Sequence, residues 1–375
     1  MTLTSINRIL FIILFAFSAI VNAQQLASPY QGSVIVGESS EAQLKEQALK
    51  QVLVKVSGNT EIINNNETKQ LLKKSQQMIS QYGYRSIDGD EYFSVVFDRN
   101  KINQALKEMQ QPVWGDTRPT TLIWLINNNQ LVSDNQIKAQ SEEMLSDAVK
   151  QSELARGIRV QFPLMDLEDN LALSVSDVKG RFYDQVSSAS SRYDRSHFVA
   201  AELQNIGNER WKLNWQLLQT NGNLKQSRNL LSEEYLGSQS VVMEKMVNAI
   251  ADYYAGLYAV IDNDGEKFKQ LLHINGISSL TELSKLNNVL KNLQVISSYH
   301  VVAAQGQQLS VEVKINGSVS SFENTLSAHP RLQLDASSSS ELTPLTPETI
   351  EDTEGDPLAD IPNSAHSNAL YFNWR

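Results

Sequence analysis

The chain has 375 residues, 41% hydrophobic and 20% charged, with 32 basic against 42 acidic side chains and no cysteine. At roughly 100–200 residues per domain this length implies two or three domains, and the apolar fraction excludes wholesale disorder. A formal net charge of −10 argues against a general nucleic-acid binder, and the lack of Cys excludes disulfide scaffolds, thiolate nucleophiles, iron–sulfur clusters and thiolate zinc sites.

Arg8 precedes an apolar run from Ile9 to Val21, which ends in Val21-Asn22-Ala23. A basic start, an apolar stretch and small residues before the cut predict a secretory signal peptide over residues 1–23, cleaved after Ala23. A membrane span needs about 20 apolar residues, more than this run supplies, and no later segment reaches that length. No Cys follows the run, so a lipoprotein anchor is excluded. The expected location is the bacterial periplasm, with no transmembrane segment in the mature chain.

The remainder reads as a multidomain α+β and α/β chain. The first unit, 28–114, is an α+β domain. Ser33–Val36 is a strand, and Ser39-Ser40 before Glu41 opens a helix to Val56 whose apolar residues fall at helical spacing. Gly58-Asn59 stops it. A second helix is expected over Glu67–Gln81, with Leu71, Leu72, Met78 and Ile79 on one side. Tyr82–Ile87 and Tyr92–Phe97 alternate around Asp88-Gly89, a strong hairpin signal, and Asp98 caps a helix from Asn100 to Met109. The connection Pro112–Pro119 holds two prolines, Gly115 and Trp114, so it is a rigid link. Trp114 and Arg118 there are candidate binding residues, and docking of two domains by the aromatic ring is the simpler role.

The second unit, 120–258, predicts a central α/β sheet with an antiparallel extension. Thr121–Ile126 is a continuous apolar run, as in a buried central strand. A helix over Ala139–Ala155, a strand over Ile158–Phe162, helices near Ser176–Tyr183 and Asp184–Tyr193, strands His197–Leu203 and Trp211–Leu218, and a helix Val241–Leu257 follow. The third unit, 268–334, reads β-α-β-β-α-β, the ferredoxin-like pattern, with Leu280, Leu283, Leu286, Leu290 and Leu293 on one helix face. Residues 335–375 carry eight acids against one base and predict a disordered acidic tail, which leaves only −3 on residues 1–334. Its aromatic end, with Tyr371, Phe372 and Trp374, is expected either to fold back as an added strand or to bind a partner.

Four segments together resemble the bacterial domain-of-unknown-function 2066 family: Gln51–Asn59, Pro112–Gly115 with Arg118-Pro119, Leu122–Leu125, and Pro163–Asp169. That resemblance implies export in Gram-negative bacteria and brings no activity or catalytic residues with it.

Motifs for known chemistry are missing. The five histidines stand far apart without metal-ligand spacing, and no G-x-S-x-G, P-loop or G-x-G-x-x-G sequence occurs. Asp262–Glu266 is similar to a calcium loop, but Lys267 stands where Gly is needed and His273 where a bidentate Glu belongs, so it reads as an interdomain turn. No catalytic residue, metal or cofactor is therefore assigned. One cluster remains: Asp166, Glu168 and Asp169 follow a strand of the α/β unit, where such sheets bind ligands. These carboxylates could hold a cation or act as acid and base, or Asp166 or Asp169 could cap the next helix with the others in solvent. The expected function is a non-catalytic binding or assembly factor of the cell envelope with an envelope protein as partner. The alternative is a hydrolase or cation-dependent enzyme using the Asp166/Glu168/Asp169 loop.

Overall fold

A computed structural model describes residues 28–87, 89–139, 143–221, 224–261, 268–329, 331–335 and 369–375. The expected signal peptide, the calcium-like turn at 262–267 and the acidic tail across 336–368 lie outside these residues. Among the described residues the chain forms a mixed α/β structure with eleven α-helices and three sheets. None of those helices is long and apolar enough to cross a membrane.

The first sheet has the order β1-β3-β2, built from β1 (Gln31–Ile35), β2 (Ile79–Ile87) and β3 (Asp90–Phe97), all antiparallel. Helix α1 (Glu41–Ser57) starts at Ser40 with a reciprocal Ser40/Gln43 capping box. It stops at Gly58, whose φ of +72° is open to glycine at little cost. Leu49, Val52, Leu53 and Val56 turn one face into a core with Phe93 and Val95. The second expected helix is shorter than its pattern: α2 (Asn66–Leu72) ends early, Ser75–Met78 make one 3₁₀ turn, and Ile79 already pairs with Phe97. Cross-strand pairing with β3 outweighs the weak helical preference of this Ser/Gln-rich stretch. Helix α3 (Arg99–Glu108) is capped by Asp98, whose carboxylate accepts from the amides of Asn100 and Lys101.

The second sheet runs β5-β4-β7-β8-β9, with β6 beside β4. Its strands are β4 (Thr120–Asn127), β5 (Gln130–Leu131), β6 (Arg159–Gln161), β7 (His197–Gly207), β8 (Arg210–Asn221) and β9 (Leu224–Gly237). β4 runs parallel to β6 and β7, while β7, β8 and β9 form an antiparallel meander. Ile123 and Leu125 face one core, shared with α5 (Glu143–Arg156) and α9 (Gln239–Tyr258). Leu122, Trp124 and Ile126 face another, under the short helices α7 (Val175–Lys179) and α8 (Tyr183–Ser190). Helix α4 (Asp134–Lys138) precedes α5.

The third sheet corrects an expectation. Its strands are β10 (Phe268–Asn275), β11 (Ile296–Gln305), β12 (Gln308–Ile315), β13 (Leu332–Leu334) and β14 (Leu370–Trp374), in the order β11-β12-β10-β14-β13. The first and last strands of the expected four do not pair. β14 lies between them, parallel to β10 and antiparallel to β13. Helices α10 (Leu280–Asn292) and α11 (Val319–Ser327) complete the unit. Leu286 and Leu290 are buried as expected, whereas Leu280 is 84% exposed because it occupies the first turn, beyond the packed stretch of α10.

A joint connects the units. Arg118, on the Pro112–Pro119 link, donates to five backbone carbonyls: Gly115 (3.1 Å), Trp114 (3.0 Å), Lys55 (2.7 Å), Arg156 (3.1 Å) and Gly157 (3.2 Å). Its guanidinium lies 4.0 Å from the Trp114 ring centroid. The same link pairs with Val56 through the Trp114 amide (2.6 Å) and with Val260 through Val113 (2.8 and 3.1 Å). Burial pushes Lys55, which donates to the Gln31 carbonyl, down to about 7, with the Arg118 charge adding to the effect.

Two outcomes follow from this packing. Arg118→Met keeps most of the volume but leaves five carbonyls without a donor, so urea unfolding should show a loss of about 3 kcal/mol. Arg118→Lys, with three donors on a point charge, should recover less than half of it. His197, 4% exposed at the start of β7 with its ring edge-on to Tyr254, is held down to about 4 by burial. The unfolded chain then binds the proton more readily, so its contribution to stability is complete above pH 6.5 and falls as pH drops toward 4. The difference between the parent and His197→Phe across that window should amount to about 3 kcal/mol in denaturant titrations.

Candidate functional site

The carboxylate loop is the densest polar cluster among the predicted site residues. Helix α6 (Leu167–Ala172) begins at Asp166, whose Oδ1 accepts from the amides of Glu168 and Asp169, both at 3.1 Å. The same carboxylate takes two bonds from Arg192, 2.7 Å to Oδ1 and 2.6 Å to Oδ2. Arg192 also reaches Asp169 Oδ1 at 2.9 Å and Glu168 Oε2 at 3.3 Å. Asp169 is buried, and its Oδ2 accepts from the Met165 amide (2.8 Å) and from the Tyr193 hydroxyl. The Leu164 amide in turn donates to Tyr193 (2.8 Å). Three carboxylates thus close on one guanidinium, which reaches back from the turn after α8.

The electrostatics follow from those bonds. The bidentate Arg192 guanidinium and the helix amides hold the Asp166 carboxyl well below the usual carboxylate range. The Asp166 carboxylate likewise raises Arg192. Burial, helped by the hydrogen bond to Asp169, pushes the Tyr193 hydroxyl up. Of the two roles open to these acids, Asp166 takes the cap, and Glu168 faces solvent at 70% side-chain exposure while touching Arg192. Among the described residues no group of three or more His, Asp or Glu is arranged to hold a metal ion. The signal for Arg192 was absent from the sequence because 23 residues and two helices separate it from Asp169.

The other predicted site residues lie elsewhere. Trp114 is buried in the core between α5, α9 and the link, with its indole N–H donating to the Thr117 carbonyl (3.3 Å). The Arg118 guanidinium is engaged by the five carbonyls described above. An open cleft of about 410 Å3 does adjoin the link, lined by Asp116, Thr117, Arg118, Asn292, Leu293 and His329. Its one carboxylate, Asp116, is paired with Arg99 at 2.5 Å. Phe372 and Trp374 are core residues of the third sheet, against the expectation of an aromatic end available to a partner. Tyr371, on the opposite side of β14, stacks on His273 at 4.7 Å. The added-strand alternative is the one observed.

An exposed feature flanks the carboxylate loop. Leu167 and Leu171, one turn apart on α6, are 76% and 79% exposed, and Leu164 just before them is 44% exposed. Phe182 at the start of α8 is exposed as well.

Comparison with known proteins adds one family match. Residues 23–115 match the family model described as Domain of unknown function (DUF8605). This corrects the resemblance to family 2066: Gln51–Asn59 and Pro112–Gly115 fall inside a stretch assigned to a different family. The structure gives the reason, since those segments are a helix end with its glycine stop and a buried joint, features set by packing. No curated protein matches the chain. Among solved structures, the hypothetical protein CT253 from Chlamydia trachomatis is similar at 9% identity and TM-score 0.21, covering 37% of this chain and 98% of its own. The PelC dodecamer from Paraburkholderia phytofirmans is similar at 8% identity and TM-score 0.18, with 38% and 94% covered. At those TM-scores neither likeness carries an argument about this chain.

Replacing Arg192 by Gln should return the Asp166 carboxyl toward the ordinary range, read by NMR titration of its side-chain carbon. In the parent the ion pair's stabilisation is complete above the unfolded carboxylate pKa of about 4 and is lost as pH falls below it. In the variant that acid-side loss should shrink.

Proposed function

We propose that the chain is an exported, non-catalytic binding or assembly protein of the cell envelope, and that α6 is its docking element. The observation that supports this is the pairing of exposure with rigidity at Leu167 and Leu171. Two large apolar side chains stand in solvent on a helix that Asp166, Arg192, Asp169 and Tyr193 hold in place. A solvated pair of leucines with no anchoring would be unremarkable in a surface. A short helix pinned by a buried carboxylate loses little conformational freedom on binding, which favours recognition. The cluster's three carboxylates against one guanidinium leave negative charge at the rim, so the matching partner surface is apolar with basic side chains around it.

The enzyme alternative is not favoured by the loop, whose carboxylates are paired or capping rather than facing a cavity. For the third unit we propose a ferredoxin-like ancestry into which β14 has been intercalated, on the support of its element order and strand order.

Two measurements test this reading. N-terminal sequencing of the protein recovered from the periplasmic fraction should begin at Gln24; a chain retained in the cytoplasm with Met1 would sink the export part. The double variant L167E/L171E should unfold within about 0.5 kcal/mol of the parent, because both positions are exposed. It should nevertheless lose its envelope partner in a cross-linking comparison with the parent. Equal recovery by both proteins would remove α6 as the docking element.

A further inference from the structure

Residues 370–374 form a strand whose hydrogen-bonding neighbours both come from a distant part of the chain. Leu272, His273, Ile274 and Asn275 of β10 pair with Leu370 to Asn373 in parallel, and Leu332 to Leu334 of β13 pair with Trp374 to Phe372. On one face Phe372 and Trp374 enter the third core; on the other Tyr371 stacks on His273. Arg331 lies over the Trp374 ring, and the Arg375 amide donates to the Arg331 carbonyl at 3.0 Å. The acceptor is shaped for this backbone: at Gly276, with φ +91°, a Cβ would stand 2.9 Å from the Trp374 carbonyl oxygen. Residues 336–368, 33 in number, separate β13 from this strand's entry. Such a length can span up to roughly 110 Å, whatever path it takes.

We propose that the slot between β10 and β13 is a strand-binding site, and that the segment 370–374 of a second copy of this chain is its occupant in trans. The commitment to a second copy rests on register. Only a segment with aromatic side chains at the Phe372 and Trp374 positions fills the core, and in that register the backbone amide of residue 375 meets the Arg331 carbonyl. Because β14 pairs with β10 and β13 and packs into the core of that same third unit, exchange between two identical copies preserves the pairing and the core, the condition under which swapping costs least. In cis the strand competes at an effective concentration on the order of mM, so exchanged pairs should accumulate only as the protein approaches that range. This site is separate from α6, and its failure would leave the docking proposal standing.

The test uses the full chain with a protease site placed within 336–368. After cleavage, the fragment carrying 370–374 should co-elute with the body and be displaced by a labelled synthetic peptide of residues 366–375. The uncut chain should bind that peptide at least tenfold more weakly, and so should the cut chain offered a peptide with F372A and W374A. Mixed pairs should form when tagged and untagged uncut chains are incubated at rising concentration. A folded, cut chain that takes up no peptide, or takes the F372A/W374A peptide equally, overturns the proposal. Mixed pairs absent at every concentration overturn the second-copy occupant. If cleavage unfolds the body, hydrogen exchange on uncut Gly276→Ala decides instead: amides of 370–374 should exchange at least tenfold faster with β2 and β3 unchanged, and unaltered protection there overturns the built slot.

Discussion

The structure depends first on the arrangement of donors around Arg118. A polypeptide link that joins two packed units must bury carbonyls at the ends of their helices, and such acceptors are costly without partners. The last turn of α1 presents the Lys55 carbonyl, and the last turn of α5 presents those of Arg156 and Gly157. One guanidinium, planar and always charged, satisfies these together with two carbonyls of its own link. The two helix ends also carry the negative pole of the helix dipole, which a cation complements. Arg156 extends the same logic: it is 2% exposed, reaches the Gly58 carbonyl at 3.1 Å and pairs with Asp252 at 2.6 Å. The cost appears at Lys55, whose ammonium is weakened by burial and by the neighbouring guanidinium.

From that joint the rest can be read outward. Trp114 stacks under Arg118 and belongs to the core beneath β4, so the link is part of the second unit's interior as well as its connection to the first. β4 in turn is apolar at every central position because it has a core on each face, with α5 and α9 on one side and α7 and α8 on the other. A strand with one wet face would alternate; this one cannot. Gly58 closes the chain of constraints, since a Cβ there would meet Ala255 of α9 at 2.4 Å. The Gly58 backbone of the first unit therefore lies directly against the Ala255 methyl of the second.

What was legible in the sequence follows from which forces are local. Caps and tight turns depend on neighbours in the chain, and Ser40, Asp98 and the pairing of β2 with β3 all read correctly. β4 read correctly because its pattern reports burial on two sides. β9 did not read as a strand, because Leu217 pairs with Leu231 while Leu218 pairs with Asn229, which leaves Leu230 extra. That bulge shifts the alternation by one residue, so no period of two runs through the segment. The family resemblance failed for a related reason: short runs of core residues at a helix end recur wherever helices end against a core. At the carboxylate loop, sequence supplied the cap and the two other acids, while the guanidinium that binds all three arrives from beyond two helices.

The opening charge balance acquires a different meaning from these placements. Most of the −10 belongs to residues 335–375, so it describes the tail rather than the surface of the sheets. Within the sheets the informative charges are the few that are enclosed, and they are mainly cations at the joint. The last strand adds a constraint on folding. Leu272 pairs with Leu370, 98 positions apart, and Phe372 completes a core that β10 and β13 leave open between them. Pairing over such a separation carries a large loop-closure cost before any contact forms, so the third sheet is completed after the locally closed hairpin of β11 and β12. Until then β10 and β13 present two unpaired edges to solvent, the condition that elsewhere invites a foreign strand. The aromatic residues of β14 answer both demands: they supply enough buried apolar area to offset the closure cost, and they cover the edges with a segment whose register the core itself selects.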